Sequence, residues 1–221
     1  MVILEIVIIT ILGLIIGSFL NAALWRIPNK KTMGGRSQCV VCAATIRWYD
    51  LIPLVSFGML RGKCRDCRSA ISIQYPLVEA ACALLFISAY ILFAQAHPGG
   101  LFLADGVSLV NFVVNLFILA VLLYLFVCDL RWYLLPDVVT IPASIVVFLA
   151  NGFLTPLACN AWCISSLPFV NLLLAGAVCG GFFAIQYIIS KGEWIGGGDI
   201  KLGVLMGFIL GWPGVLVALF G

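Results

Sequence analysis

The sequence predicts an all-α polytopic membrane protein with about six transmembrane helices and one small cysteine-rich insert. Of its 221 residues, 64% are hydrophobic and only 10% are charged, whereas a soluble domain carries about 25% charged residues. The apolar residues form long stretches, and a helix needs about 20 such residues to cross a bilayer. Because lipid offers backbone N–H and C=O groups no partners, each stretch is expected to be helical.

The first predicted span is Val2–Trp25, and the basic residues Arg26, Lys30 and Lys31 follow it. No basic residue precedes this span and no Ala-x-Ala site ends it, so it is interpreted as a membrane helix and not as a signal peptide. The remaining predicted spans are Pro76–Ala96, Val107–Cys128, Val138–Leu154, Pro168–Ser190 and Ile200–Phe220.

The polar stretch after the first span divides the chain into three predicted parts. Residues 1–25 form the first transmembrane helix, residues 26–75 a basic cysteine-rich insert, and residues 76–221 the transmembrane core. An insert of this size has little hydrophobic core of its own. A bound metal is therefore expected to supply part of its folding energy.

The basic residues predict how the chain is oriented in the membrane. All twelve Lys and Arg lie in the insert, in the loop after the third span or beside the loop before the sixth. The loops 97–106 and 155–167 contain none. The positive-inside rule then places residues 26–75, 129–137 and 191–201 in the cytoplasm and the amino terminus outside.

Four cysteines stand in two CxxC pairs, Cys39-Val40-Val41-Cys42 and Cys64-Arg65-Asp66-Cys67. Four thiolates at this spacing suit a closed tetrahedral Zn²⁺ site, which has a structural and not a catalytic role. A redox dithiol pair and four idle cysteines are the alternatives, and a reducing cytoplasm argues against structural disulfides. On the opposite side, Cys159 and Cys163 can pair only if their Cα atoms lie within about 7 Å.

Three carboxylates lie at the ends of predicted spans on one predicted face. Asp129 follows the third span and Asp137 opens the fourth, while Asp199 opens the sixth after Gly196-Gly197-Gly198. Acids at membrane spans are costly and usually functional. The structural explanations are a favourable helix dipole for Asp137, an ion pair with Arg131 for Asp129, and N-capping for Asp199.

Two carboxylates that enclose one water could hydrolyse an amide without a metal. One carboxylate would take a proton from the water while the protonated one donates to the carbonyl. A transporter would also place acids near helix ends, but it should show broken helices near the bilayer midplane. A membrane thiol oxidoreductase would need its CxxC pairs in an oxidising compartment, which the charge pattern does not predict.

Several motifs, in order, resemble those of the bacterial type IV prepilin peptidases, which are membrane aspartyl proteases of the GxGD class. The resemblance covers nearly the whole chain. Its motifs are Gly17-Ser18-Phe19-Leu20-Asn21, Arg26-Ile27-Pro28, both CxxC pairs, Ile46-Arg47-Trp48-Tyr49-Asp50 with Ile52-Pro53, Tyr75-Pro76-Leu77-Val78-Glu79, Asp129 with Pro136-Asp137, and Gly196-Gly197-Gly198-Asp199-Ile200-Lys201.

The resemblance implies cleavage of the leader from type IV prepilins or type II secretion pseudopilins, followed by N-methylation with S-adenosylmethionine. It implies Asp129 and Asp199 as the catalytic aspartates. The glycines beside Asp199 would let an extended peptide pair with the backbone, so Gly196, Gly197, Gly198 and Lys201 are expected to contact substrate. The expected location is the bacterial inner membrane, with zinc on the four cysteines and no nucleic-acid partner.

Two departures from the family pattern stand out. Family members commonly continue beyond Gly221 with more membrane helix, so this chain is expected to be a short member or a truncated one. Residues 43–44 are Ala-Ala, where the family often has a small residue followed by His. This second departure bears on methylation and not on proteolysis.

Overall fold

The computed structural model describes residues 2–97, 99–154 and 167–220. Within these ranges the chain is helical apart from turns, loops and the isolated antiparallel bridges Gln38–Thr45 and Lys63–Ala70. A 3₁₀ helix covers Trp48–Leu51. The α-helices of the described part are α1 (Val2–Arg26), α2 (Val55–Met59), α3 (Gln74–Ala96), α4 (Gly100–Leu103), α5 (Gly106–Trp132), α6 (Asp137–Leu154), α7 (Pro168–Ser190), α8 (Gly197–Leu210) and α9 (Gly214–Phe220).

Five of the described helices, α1, α3, α5, α6 and α7, are long and apolar enough to cross a membrane. The predicted all-α polytopic fold is thereby confirmed, and these helices match the first five predicted spans to within a few residues at most ends. The largest difference is at α5, which continues to Trp132 and ends at Tyr133 in the left-handed conformation. Asp129 therefore lies in the last turns of α5 and does not follow the helix.

The predicted sixth span, Ile200–Phe220, is divided into α8 and α9. At about 1.5 Å per residue, the 14 residues of α8 are too few to cross a bilayer alone. Gly211 ends α8 with a φ of 63°, and Pro213 has no N–H with which to continue the helix. The uniformly apolar composition around this break explains why the sequence alone predicts one span.

The helices belong to two compact units. The first comprises Met1–Ala104 with Leu122–Tyr124, and the second comprises Asp105–Val121 with Leu125–Gly221. In the first unit α1 packs along α3. In the second unit α7 packs along α8, and α6 contacts both.

Glycines allow the paired helices of the first unit to meet backbone against backbone. A Cβ on Gly13 would lie 2.6 Å from the Cα of Ala83, and one on Gly17 would lie 2.7 Å from the Cα of Glu79. Gly13 and Gly17 are four residues apart, the small-xxx-small spacing that brings membrane helices close together.

The second unit uses the same spacing on both of its closest helices. Gly176 and Gly180 of α7 face the segment of α8 that contains Gly203 and Gly207. A Cβ on Gly207 would lie 2.5 Å from the Cα of Gly176, and one on Gly180 would lie 2.5 Å from a methyl carbon of Val204. This packing holds α8, and with it the chain around Asp199, in a fixed position on α7.

Candidate catalytic and metal sites

The four CxxC cysteines converge in the first unit. The sulfur atoms of Cys39, Cys42, Cys64 and Cys67 all lie within 4.8 Å of one another, and those of Cys39 and Cys67 are 3.9 Å apart. Thiolates about 2.3 Å from one tetrahedral Zn²⁺ lie about 3.8 Å apart. The cluster therefore has the donor atoms and the size that a four-thiolate metal site requires.

Each CxxC pair folds into its own turn of the same kind, here called a cysteine knuckle, at Cys39–Ala44 and Cys64–Ser69. The N–H of Cys39 donates to the C=O of Ala44 and the N–H of Cys64 to the C=O of Ser69, each over five residues. The residue after each pair, Ala43 or Arg68, has a positive φ of 57° or 58°. This repetition brings the second pair of sulfur atoms opposite the first.

Hydrogen bonds favour the thiolate forms of Cys39 and Cys67. Hydrogen bonds from the backbone N–H groups of Cys42 and Val41, helped by neighbouring thiols, lower the pKa of Cys39 to about 6. Hydrogen bonds from Ser69 lower that of Cys67. At Cys42 the Ala44 N–H favours the thiolate, but desolvation and the neighbouring sulfurs outweigh it and raise the pKa to about 12. Four thiolates repel one another, so a bound cation would release the last proton.

Asp129 lies on the exposed surface of α5 in its last turns. Its backbone C=O accepts the N–H of Tyr133, which caps the helix at 2.8 Å. Its carboxylate has no hydrogen bond or ion pair within the described part of the chain, while the Arg131 guanidinium lies over the Trp132 ring. Since the negative end of a helix dipole disfavours an acid, local structure does not account for this residue.

Asp199 is half-buried in the first turn of α8. Its Oδ2 accepts the N–H of Gly196 at 2.9 Å, and its own N–H donates to the Gly196 C=O at 3.1 Å. Gly196, and not Asp199, is therefore the N-cap residue of α8. Asp199 lies at the third helical position and reaches back to the N-cap backbone with only one carboxylate oxygen. A Cβ on Gly197 would meet no atom within 4 Å, which leaves open space beside the acid.

Two contacts connect the chain around Asp129 with the chain around Asp199. Leu135, in the loop after α5, packs on Gly198, where a Cβ would lie 3.1 Å from the Leu135 Cβ. Asp137, at the start of α6, accepts from the Lys201 ammonium at 2.5 Å. These contacts bring the two motifs together, although the Asp129 and Asp199 carboxylates are not hydrogen-bonded to each other.

Sequence reasoning missed the partner of Lys201 and the role of Leu135. The charges of Asp137 and Lys201 are 64 positions apart, and no periodicity in the sequence pairs them. Leu135 looks like one more apolar residue beside the membrane. Cys159 and Cys163, whose pairing the sequence leaves open, lie outside the described residues.

Comparison with known proteins gives the same family over both halves of the chain. Residues 11–93 match the bacterial peptidase A24 N-terminal domain, and residues 116–221 match the type IV leader peptidase family. The first match contains the four cysteines, and the second contains Asp129 and Asp199.

Curated relatives are similar along most of the chain. A prepilin leader peptidase/N-methyltransferase from Bacillus subtilis is 35% identical over 212 residues, which cover 95% of this chain and 75% of the relative. Proteins with the same name are 32% identical in Myxococcus xanthus, where 56% of the relative is covered, and 30% identical in Vibrio cholerae, where 76% is covered. No solved structure gives a significant match.

Proposed function

The chain belongs to the bacterial type IV leader peptidase family, and we propose that it cleaves prepilins with Asp129 and Asp199 as its catalytic pair. The observation that supports this pair most strongly is the exposed carboxylate of Asp129, which has no partner in the described part of the chain. Asp199 lies one residue beyond Gly198, on which Leu135 of the following loop packs. Because the family is one of peptidases, we favour this function over the alternative predictions of a transporter or a thiol oxidoreductase.

The proposed reaction needs one proton between the two carboxylates. The ionised carboxylate takes a proton from a water molecule, whose oxygen attacks the scissile carbonyl, while the protonated carboxylate donates to the carbonyl oxygen. The tetrahedral gem-diol then breaks its C–N bond: the newly protonated carboxylate gives its proton to the leaving nitrogen, and one hydroxyl of the gem-diol returns its proton to the other carboxylate as the carbonyl re-forms. Both carboxylates are thereby regenerated for another cycle.

The glycines before Asp199 are suited to hold an extended substrate. N–H groups in the first turn of a helix have no partners within the helix, and the N–H groups of Gly197 and Gly198 are at these positions of α8. Open space at Gly197 would let a peptide backbone approach and pair with them. The substrate contact of Lys201 stays a prediction. In the structure its ammonium pairs with Asp137, so a substrate group would have to share or replace this partner.

The substrates in this proposal are type IV prepilins or the related pseudopilins of type II secretion. After cleavage the same protein would methylate the new amino terminus, in keeping with the N-methyltransferase name of its relatives. S-Adenosylmethionine, the proposed donor, carries a methyl group on a sulfonium and supplies it to the amine nitrogen. No residue of the described part is assigned to the donor.

The proposed metal is one structural Zn²⁺ held by Cys39, Cys42, Cys64 and Cys67. The spacing of the four sulfurs fits this ion, and its bonds would fix two knuckles that have little apolar core between them. We also propose that the knuckles and both aspartates face the cytoplasm, with the amino terminus outside the inner membrane. The distribution of basic residues supports this orientation.

Incubating the purified protein with a prepilin in detergent tests the proposed function. We expect a shortened pilin whose mass corresponds to removal of the leader, and a further methyl mass when S-adenosylmethionine is added. An intact prepilin after incubation with well-folded protein would contradict the peptidase assignment. Cleavage without methyl transfer would contradict only the second activity.

A further inference from the structure

The segment Trp48–Met59 lies in the first unit, between the two cysteine knuckles. Its sequence, WYDLIPLVSFGM, contains a single charged residue, Asp50. The structure folds it into the 3₁₀ helix and α2, joined at Ile52–Leu54. In the peptidase mechanism this segment has no part.

The apolar side chains of this segment are not used in a core. Neither the 3₁₀ helix nor α2 contains a buried residue. Trp48 is 75% exposed, Val55 54% and Met59 76%. Several large exposed apolar side chains in so short a stretch indicate a surface that meets a protein or a membrane.

Two polar anchors hold the segment in place despite the missing core. The Leu54 N–H donates to the Glu79 carboxylate of α3 at 2.9 Å. The Arg65 guanidinium of the second knuckle donates twice to the Asp50 carboxylate, at 2.6 and 2.9 Å. The segment is therefore hydrogen-bonded both to α3, a candidate membrane span, and to the second cysteine knuckle.

The anchor on Glu79 fixes the depth of the segment relative to the membrane helices. Glu79 is the sixth residue of α3, so it lies about 7.5 Å along the axis from the helix start at Gln74. The Glu79 Cα packs against Gly17 of α1, where a Cβ would lie 2.7 Å away. Gly17 lies nine residues before Arg26, the basic residue at the end of α1. Interfacial apolar segments insert to about 5–10 Å, at the boundary of headgroups and acyl chains.

We propose that Trp48–Met59 is an interfacial membrane-binding segment, whose exposed apolar side chains insert among phospholipids on the side of the cysteine knuckles. The exposed cations Arg47 and Arg61 flank the segment on both sides, as expected where basic residues meet lipid phosphates. Trp48 has the amphipathic ring that is enriched at membrane interfaces. The occupant of this surface is the bilayer and not a soluble partner.

Photocrosslinking of the full chain in phospholipid nanodiscs tests the proposal. Benzoylphenylalanine would replace Trp48 or Met59 in separate variants, and a third variant would carry it at Leu84, an exposed residue in the middle of α3. We expect lipid adducts by mass spectrometry at all three positions. Lipid adducts at Leu84 alone, or protein adducts at Trp48 and Met59, would overturn the proposal.

The role of the Glu79 anchor is tested in the same assay. Glu79→Gln keeps an oxygen that can accept the Leu54 N–H, so lipid adducts at Trp48 and Met59 should persist. Glu79→Leu removes the acceptor, and the yield at both positions should fall while that at Leu84 stays unchanged. Equal yields in the two variants would show that this hydrogen bond does not set the depth of the segment.

Discussion

Asp129 and Glu5 are both acids in helices long enough to cross a membrane, but their surroundings differ. Glu5 is 1% exposed and accepts hydrogen bonds from the Tyr90 hydroxyl at 2.8 Å and the Leu101 N–H at 2.9 Å. These bonds join α1 to α3 and to the start of α4, which gives Glu5 a structural role. The Asp129 carboxylate, by contrast, has no partner in the described part of the chain and is left available for chemistry.

The glycines beside Asp199 differ in what a methyl group would touch. Gly197→Ala meets open space, so the protein should fold normally, while kcat/KM for prepilin should fall about tenfold, or about 1.4 kcal/mol, because the methyl group obstructs the peptide. In Gly198→Ala the added methyl group would press on Leu135. This variant should therefore lower the unfolding temperature in addition to kcat/KM. Unchanged cleavage by Gly197→Ala would rule out a substrate contact at this glycine.

In each unit the most closely packed pair of helices meets at glycines: α1 with α3 in the first unit, and α7 with α8 in the second. The helices and the cysteine knuckles could be predicted from composition and spacing, because lipid and metal chemistry leave the chain few alternatives. The division of α8 from α9 could not, since Gly211 and Pro213 lie within a continuous apolar stretch. Contacts such as Leu135 with Gly198 depend on packing between distant segments, which no local pattern records.

At the level of the structural elements, the cysteine knuckles provide the first test. Cys64→Ser removes one of four ligands, so purified protein should lose its bound zinc. Cys82→Ser changes a buried cysteine of α3 outside the cluster and should keep one zinc per chain. Elemental analysis measures the content, and X-ray absorption should find four sulfurs at about 2.3 Å. Zinc-free wild-type protein would contradict the assignment.

The contact between α7 and α8 provides the second test. Gly207→Ala places a Cβ 2.5 Å from the Cα of Gly176, and such overpacking should cost about 1–3 kcal/mol. Gly181→Ala, on α7 with open space around it, should be neutral or slightly stabilising because alanine favours helix. Thermal unfolding in detergent compares the two variants. A Gly207→Ala protein as stable as Gly181→Ala would contradict the close packing.

At the scale of the whole molecule, the predicted orientation follows from the twelve basic residues, all of which lie in or beside segments predicted to share one side of the membrane. Arg61→Cys, beside the knuckles, should resist a membrane-impermeant maleimide in intact cells, whereas Leu103→Cys, exposed in α4, should react. Both variants would carry serine at Cys159 and Cys163, so that native thiols on the predicted outer side do not contribute. Strong labelling of the Arg61→Cys protein, without labelling of the Leu103→Cys protein, would contradict the predicted orientation and indicate the opposite one.

Cleavage of a prepilin by three matched variants tests the central claim most directly. Asp129→Asn and Asp199→Asn should each abolish cleavage, because an amide can neither take the proton from water nor return it. Asp137→Asn should keep most activity, since an exposed ion pair such as that with Lys201 contributes about 0–1 kcal/mol. Each protein is first checked for folding, and methylation of a pilin that is already cut should survive both catalytic substitutions. Full cleavage by a well-folded Asp199→Asn protein, or loss of activity only in Asp137→Asn, would contradict the assignment of Asp129 and Asp199.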